Sequence, residues 1–299
     1  MNNKHKISRD RSGVSAILVV VVVAIVIVAG VAAFVVLSND DKEDNRQIAP
    51  GTKFTFDIET HGAVFSNALT MEIVGQNDTN YFIKNTTSIP LFYAEDIIEY
   101  VLDTKDNSND AVKIGTKEID TFEGKKTLDM WEKTDDDDSK TTIYADALMV
   151  PYLMEMEEST ATLKAKEIVY QDSYQESDNI GKKFTYRFNG TSALDYILVT
   201  ECVADCLNGQ YGMKFTPILG DESISELYYL SDVPGGMSTA SEDSGSTVNF
   251  TTIDGQKTME VWVLESTIYF CADPETDMVY LIGIYSSGVT VEFILESYL

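Results

Sequence analysis

From residue 51 to the C-terminus the chain alternates apolar and polar side chains in short runs. KFTFDI (53–58), LTMEIV (69–74), KTLDMW (126–131), KFTYRF (183–188), TMEVWV (258–263) and VTVEFIL (289–295) all have the two-residue period of half-buried strands. Turn-forming clusters separate such runs: GQNDTN at 75–80, CLNGQ at 206–210, ADPETD at 272–277 and YSSG at 285–288. The last 40 residues read as a three-strand meander, roughly 266–271, 278–285 and 289–296. Two segments lack the alternation. YAEDIIEYVLD (93–103) and ESISELYYLSD (222–232) are expected to be short amphipathic helices or irregular crossovers, and PGGMSTASEDSG (234–245) a loop. One stretch breaks the pattern entirely. Val14 to Leu37 is 24 residues without a charge, with Ser15 its only polar side chain. As a helix it would be about 36 Å long, enough to cross a hydrocarbon core of roughly 30 Å.

The strand-rich part contains two copies of one unit. GTKFTFDI at Gly51 returns as GKKFTYRF at Gly181, and YFIKNTTSI at Tyr81 as YGMKFTPIL at Tyr211. EGKKTLDMW (123–131) returns as DGQKTMEVW (254–262), and TIYAD at Thr142 is echoed by TIYFCAD at Thr267. The order of these anchors and their near-constant offset predict matched strands, with Trp131 on Trp262 and Tyr144 on Tyr269. The expected fold class is mainly β. An N-terminal transmembrane helix precedes two tandem duplicated antiparallel β-sheet domains, each curved or barrel-like with a short covering helix. The expected divisions are a cytoplasmic basic segment 1–13, the helix 14–37, an acidic linker 38–50, copy one at 51–175 and copy two at 176–299.

Charge sharpens this division. Residues 1–13 carry +3 and the apolar run none, so residues 38–299 carry −30 against a total of −27. Basic residues before the run and acids after it predict a single-pass protein in the cell membrane, with the C-terminal domains outside and the lipid bilayer as partner through residues 14–37. An acidic surface of this kind repels nucleic acid and favours cations or basic partners.

Catalytic signals are thin. The two histidines are His5 and His61, and neither a metalloprotease helix, a nucleophile elbow, a paired CxxC nor a phosphate-binding loop is present. No catalytic residue and no organic cofactor is therefore assigned, and a non-enzymatic role is expected. Cys202 and Cys206 would lie about 13 Å apart on one strand, so a disulfide would have to join Cys271 to one of them. For a metal, the candidates are Asp273, Glu275 and Asp277, alternating acids that could hold calcium, with the acidic run Asp135 to Asp138 as a second place. Asn77, Asn85, Asn189 and Asn249 stand in N-x-S/T sequons.

Arg11, Gly13, Val14, Ser15 and Ile17, followed by the Val/Ile/Ala run, resemble the N-terminus of archaeal type IV pilins and archaeal membrane-anchored surface proteins. The resemblance covers residues 9–37. It implies a basic leader ending at Gly13 and an apolar helix packed into a membrane or a filament core. Leu18 stands where bacterial pilins carry glutamate, and Ala16 replaces the common proline of the archaeal motif. The expected function is thus a membrane-anchored cell-surface protein with a structural or binding role, with a pilin-like filament subunit or an extracytoplasmic lipid or small-solute carrier as alternatives. The unit TIYFCAD to MVYLIGIY resembles the strand–turn–strand of periplasmic lipoprotein carriers in architecture.

Overall fold

The computed structural model describes residues 48–88, 97–104, 111–134, 139–147, 149–157, 161–170, 178–190, 196–220, 222–223, 226–264, 267–286 and 289–299. The first half supplies β1 (Lys53–Thr60), β2 (Ala63–Gln76), β3 (Asn80–Thr87), β4 (Ile97–Thr104), β5 (Ala111–Thr121), β6 (Gly124–Thr134), β7 (Lys140–Ala145), β8 (Pro151–Met156) and β9 (Ala161–Val169). The second supplies β10 (Lys183–Phe188), β11 (Tyr196–Cys206), β12 (Tyr211–Leu219), β13 (Glu222–Ser223), β14 (Leu227–Ser231), β15 (Glu242–Thr252), β16 (Gly255–Leu264), β17 (Ile268–Ala272), β18 (Val279–Ser286) and β19 (Val289–Tyr298).

All ladders are antiparallel. In the first half the strands lie side by side in the order β4-β3-β2-β1-β9-β8-β7-β6-β5. In the second the order is β14-β12-β11-β10-β19-β18-β17-β16-β15, with β13 a short return against the end of β12. Irregularities recur at matched places, for example between Thr55 and Phe56 and between Thr185 and Tyr186. Trp131 stands opposite Lys113 and Ile143, and Trp262 opposite Asp243 and Phe270, on the same rung of each ladder. The tyrosines are not on one rung. Ala145 faces Asp129 as Ala272 faces Glu260, which puts Tyr144 level with Cys271 and Tyr269 two residues away.

Neither ladder closes. Among the described residues nothing pairs β4 with β5 or β14 with β15, so each half is an open sheet rather than the expected barrel. The alternating runs bury one face. Phe54, Phe56, Ile58, Leu69, Met71, Ile83 and Leu163 form the first core, and Phe184, Tyr186, Leu198, Met213, Phe270, Ile282 and Phe293 the second.

The halves meet where β2 and β11 end. Gln76 pairs with Asp205 and Gly75 with Cys206. Phe82 crosses from the first half onto Gly212 of the second, within a third cluster of Val74, Val203, Ala204 and Cys206. Tyr100 of β4 stacks on Phe82 at 5.6 Å, and Tyr228 of β14 meets it edge-on at 6.1 Å.

Several expectations are corrected. The helical reading of 93–103 gives way, over its described part, to β4; that of 222–232 gives way to β13 and β14. The loop expected at 234–245 ends earlier, because β15 begins at Glu242. The only helical piece among the described residues is one 3-10 turn, Leu207–Gly209, so no covering helix is found there. The expected anchor, residues 14–37, lies outside the described residues, as do residues 1–13. No helix of the described residues is long and apolar enough to cross a membrane. Nothing among the described residues thus supports the expected single-pass topology with outside domains, the bilayer as partner, or the surface-anchored and pilin-like readings, and the carrier reading, which needed a hollow under a covering helix, loses that helix. The disulfide is also corrected, since Cys202, Cys206 and Cys271 are all free and buried.

Candidate functional site

β5 and β15 are the outer edges of the two sheets, and each has one hydrogen-bonded neighbour among the described residues. Both are 11 residues long and exposed on both faces along most of their length. Val112 is 67% and Ile114 50% exposed, so one face of β5 presents uncovered aliphatic side chains. Each carries an irregularity near its start, between Lys113 and Gly115 in β5 and between Asp243 and Ser246 in β15. Such bulges kink an edge and re-aim its side chains.

The far ends of these hairpins are fastened in the same way. Thr121 Oγ1 donates to Gly124 O at 2.7 Å and accepts from Glu123 N; Thr252 Oγ1 donates to Gly255 O at 2.9 Å and accepts from Asp254 N. Gly124 and Gly255 have φ of 100° and 104°, a region that only glycine enters without strain. Tyr152 OH donates to Glu123 at 2.8 Å, with Lys126 Nζ 4.7 Å from the tyrosine ring centroid. Tyr280 OH donates to Asp254 at 2.6 Å, with Lys257 Nζ 5.3 Å from that ring. Lys257 Nζ also donates to Asp273 Oδ2. That bond is the main reason the Asp273 carboxyl is held below its ordinary pKa and Lys257 is raised. These lysine–tyrosine–carboxylate clasps hold the hairpin tips onto β8 and β18.

At the opposite end of the hairpins the two halves diverge. Lys113 Nζ lies 6.0 Å from the Trp131 ring centroid and 2.6 Å from Asp129 Oδ2. Trp262 and Glu260 occupy the rungs of Trp131 and Asp129, but the residue opposite Trp262 is Asp243. Asp243 is exposed, and Glu260 and Trp262 are half-buried. Asp243 Oδ1 accepts from Gly245 N at 2.8 Å, and Ser244 Oγ donates to Val261 O at 2.7 Å, which fixes the bulge. A second lysine of β5, Lys117, sits 4.9 Å from the Tyr144 ring, whose hydroxyl donates to Glu155 at 2.6 Å. Burial first, and Glu155 second, push that phenol up to about 12. The residue of β15 opposite Met259, matching Lys117 opposite Leu128, is Val248.

The acids predicted to hold calcium are not brought together. Asp273 turns inward to Lys257, its Oδ1 accepts from Glu275 N at 3.1 Å and its carbonyl from Asp277 N at 2.8 Å. Glu275 and Asp277 are exposed, and Asp277 has a left-handed φ of 55°. Among the described residues no group of three or more His, Cys, Asp or Glu side chains could hold a metal ion. Asp135 to Asp138 lie outside the described residues. His61 is exposed in the β1–β2 turn. Desolvation pushes the Cys202 thiol up to about 12 and Cys271 to about 11, which removes thiolate reactivity. Of the sequons, Asn85 is fully buried and its amide has no hydrogen-bond partner, whereas Asn249 is exposed.

No protein-family model and no curated protein matches the chain. Among solved structures, the crystal structure of MucB in complex with MucA(peri) aligns over 85% of this chain and 90% of that one, at 9% identity and a TM-score of 0.28. The complex structure of Pseudomonas aeruginosa MucA/MucB gives the same figures. The crystal structure of MucB aligns over 75% of this chain and 90% of its own, at 10% identity and a TM-score of 0.26. A likeness at this level does not define a shared fold.

Proposed function

We propose that the protein is a non-enzymatic binding protein made of two copies of one β unit, residues 51–175 and 176–299, which takes extended segments of partner proteins by strand addition at the sheet edges β5 and β15. The carrying observation is the state of those edges: long strands, exposed along most of their length, with one paired neighbour each among the described residues. Unpaired N–H and C=O groups along a sheet edge are a template for another strand, and a binding protein that exposes such an edge uses it for recognition. The other edges, β4 and β14, turn Tyr100 and Tyr228 into the junction between the halves instead. The clasps at Tyr152 and Tyr280 keep the hairpins in place, so an arriving strand meets a preorganised edge.

The test is selection of twelve-residue peptides from a random library on the full chain, followed by amide hydrogen exchange. Selected peptides are expected to slow exchange in residues 111–121 or 242–252. Protection confined to other strands, or failure to select any peptide, would sink the reading.

A further inference from the structure

The two edges offer the same scaffold, but only the first fills it with its own cation. Lys113 lies against Trp131 and bonds to Asp129, while the second half keeps the tryptophan and the carboxylate, as Trp262 and Glu260, and puts Asp243 in place of the lysine. No cation lies over Trp262, and Glu260 has no ion-pair partner among the described residues. Nor does β15 contain a lysine or arginine, whereas β5 has Lys113 and Lys117. Lysines on an edge are a common device for discouraging strand addition, and β15 lacks them.

We propose that Trp262, Glu260 and Asp243 form a receptor site for one lysine or arginine side chain of an extended partner segment that adds to β15. This rests on the strand-addition reading above and names the partner's chemistry. The first half shows the occupied form of the site, an ammonium against an indole ring and a carboxylate, provided in cis. A strand added to β15 lies about 4.8 Å from it and roughly 9.6 Å from β16. A long cationic side chain reaching back over Asp243 spans that gap to Glu260 and the Trp262 ring. The ring quadrupole and two carboxylates attract either cation, and arginine adds bidentate hydrogen bonds. The net charge of −27 draws a basic segment towards the protein and disfavours an acidic one.

Isothermal titration of the full chain tests this with three blocked seven-residue peptides of alternating threonine and valine whose central residue is lysine, glutamine or glutamate. The lysine peptide is expected to fill one tight site, at β15, and there to bind at least tenfold more tightly than the other two. Asp243→Lys, which installs the first half's own cation, should cut its affinity at least tenfold. Glu167→Lys, the same charge change at an exposed position of β9, should cost less than threefold. Lys113→Asp should vacate the first site and raise the number of tight sites from one to two. Circular dichroism confirms folding, and all three substitutions are at exposed positions. Equal binding of the three peptides would leave strand addition standing and overturn the cation site, as would equal losses from Asp243→Lys and Glu167→Lys. Absence of binding by any of the peptides would overturn both.

Discussion

Gly212 on β12 is the position where a single methyl group has the most legible consequence. A Cβ added there would stand 2.9, 3.0 and 3.1 Å from Cγ, Cδ1 and Cδ2 of Phe82, well inside the carbon–carbon optimum of roughly 3.5–4.0 Å. The ring has little room to move, being fully buried with Tyr100 stacked on one side and Tyr228 against it. Overpacking of this kind costs about 1–3 kcal/mol. Replacing glycine by alanine within a strand returns about 0.5–1 kcal/mol of backbone entropy, since its φ is not in the left-handed region. Gly212→Ala is therefore expected to destabilise by roughly 1–2 kcal/mol. Phe82→Ala alone should cost about 3–5 kcal/mol. With the ring gone, Gly212→Ala should become neutral or stabilising, giving a favourable coupling of about 1–3 kcal/mol. Equilibrium urea unfolding of wild type, both single variants and the double variant completes the cycle. If Gly212→Ala costs the same in both backgrounds within about 0.5 kcal/mol, Phe82 does not occupy the space that the glycine leaves.

Two further outcomes follow from polar groups in the cores. Asn85 is fully buried with both amide atoms unpartnered, so Asn85→Leu, of the same branched shape with bulkier ends, should be neutral to stabilising by up to about 2 kcal/mol in urea unfolding, and a loss above about 3 kcal/mol, more than overpacking costs, would reveal a partner for the amide. Asp273 is held below the ordinary carboxylate value chiefly by Lys257, so its contribution is present above that value and lost as pH falls through the folded pKa. Asp273→Asn should thus flatten the acid limb of stability measured from pH 2 to 6; an unchanged limb would show that the clasp is not ionic.

What the sequence disclosed was set by which strands have one wet face. KFTFDI, LTMEIV and KTLDMW alternate because one side meets core and the other water, and they stand as β1, β2 and β6. β4 does not alternate in this way. Val101 packs on the first core while Tyr100 and Leu102 enter the junction cluster, so apolar residues fall on both faces and mimic a helical stripe. β14 repeats this, with Tyr229 against the second core and Tyr228 and Leu230 in the junction. β15 fails in the opposite sense. EDSGST, its first six residues, is wet on both faces and reads as loop, while Val248 and Phe250 further on pack against the second core. The tyrosine of TIYFCAD misled the alignment because register follows the alanine and aspartate that end each strand, not the tyrosine that looks alike. The candidate cation site was hidden for the same reason as its edge. Its signal was the Lys113 to Asp243 change against an otherwise matched Trp131/Trp262 rung.

The contact between β2 and β11 is nearly its own mirror in sequence. Glu72 faces Lys53 as Glu201 faces Lys183, so Gln76 and Asp205 are equivalent residues, and they pair with each other. The contact is thus isologous, with each unit offering the same strand end to the other across a local two-fold axis. An isologous contact is used up once it is made, unlike the head-to-tail stacking that lets solenoid repeats continue indefinitely. A third unit would find no vacant strand end of this kind. Two copies are the natural length of this array, and repetition of this contact terminates in a pair instead of building a fibre.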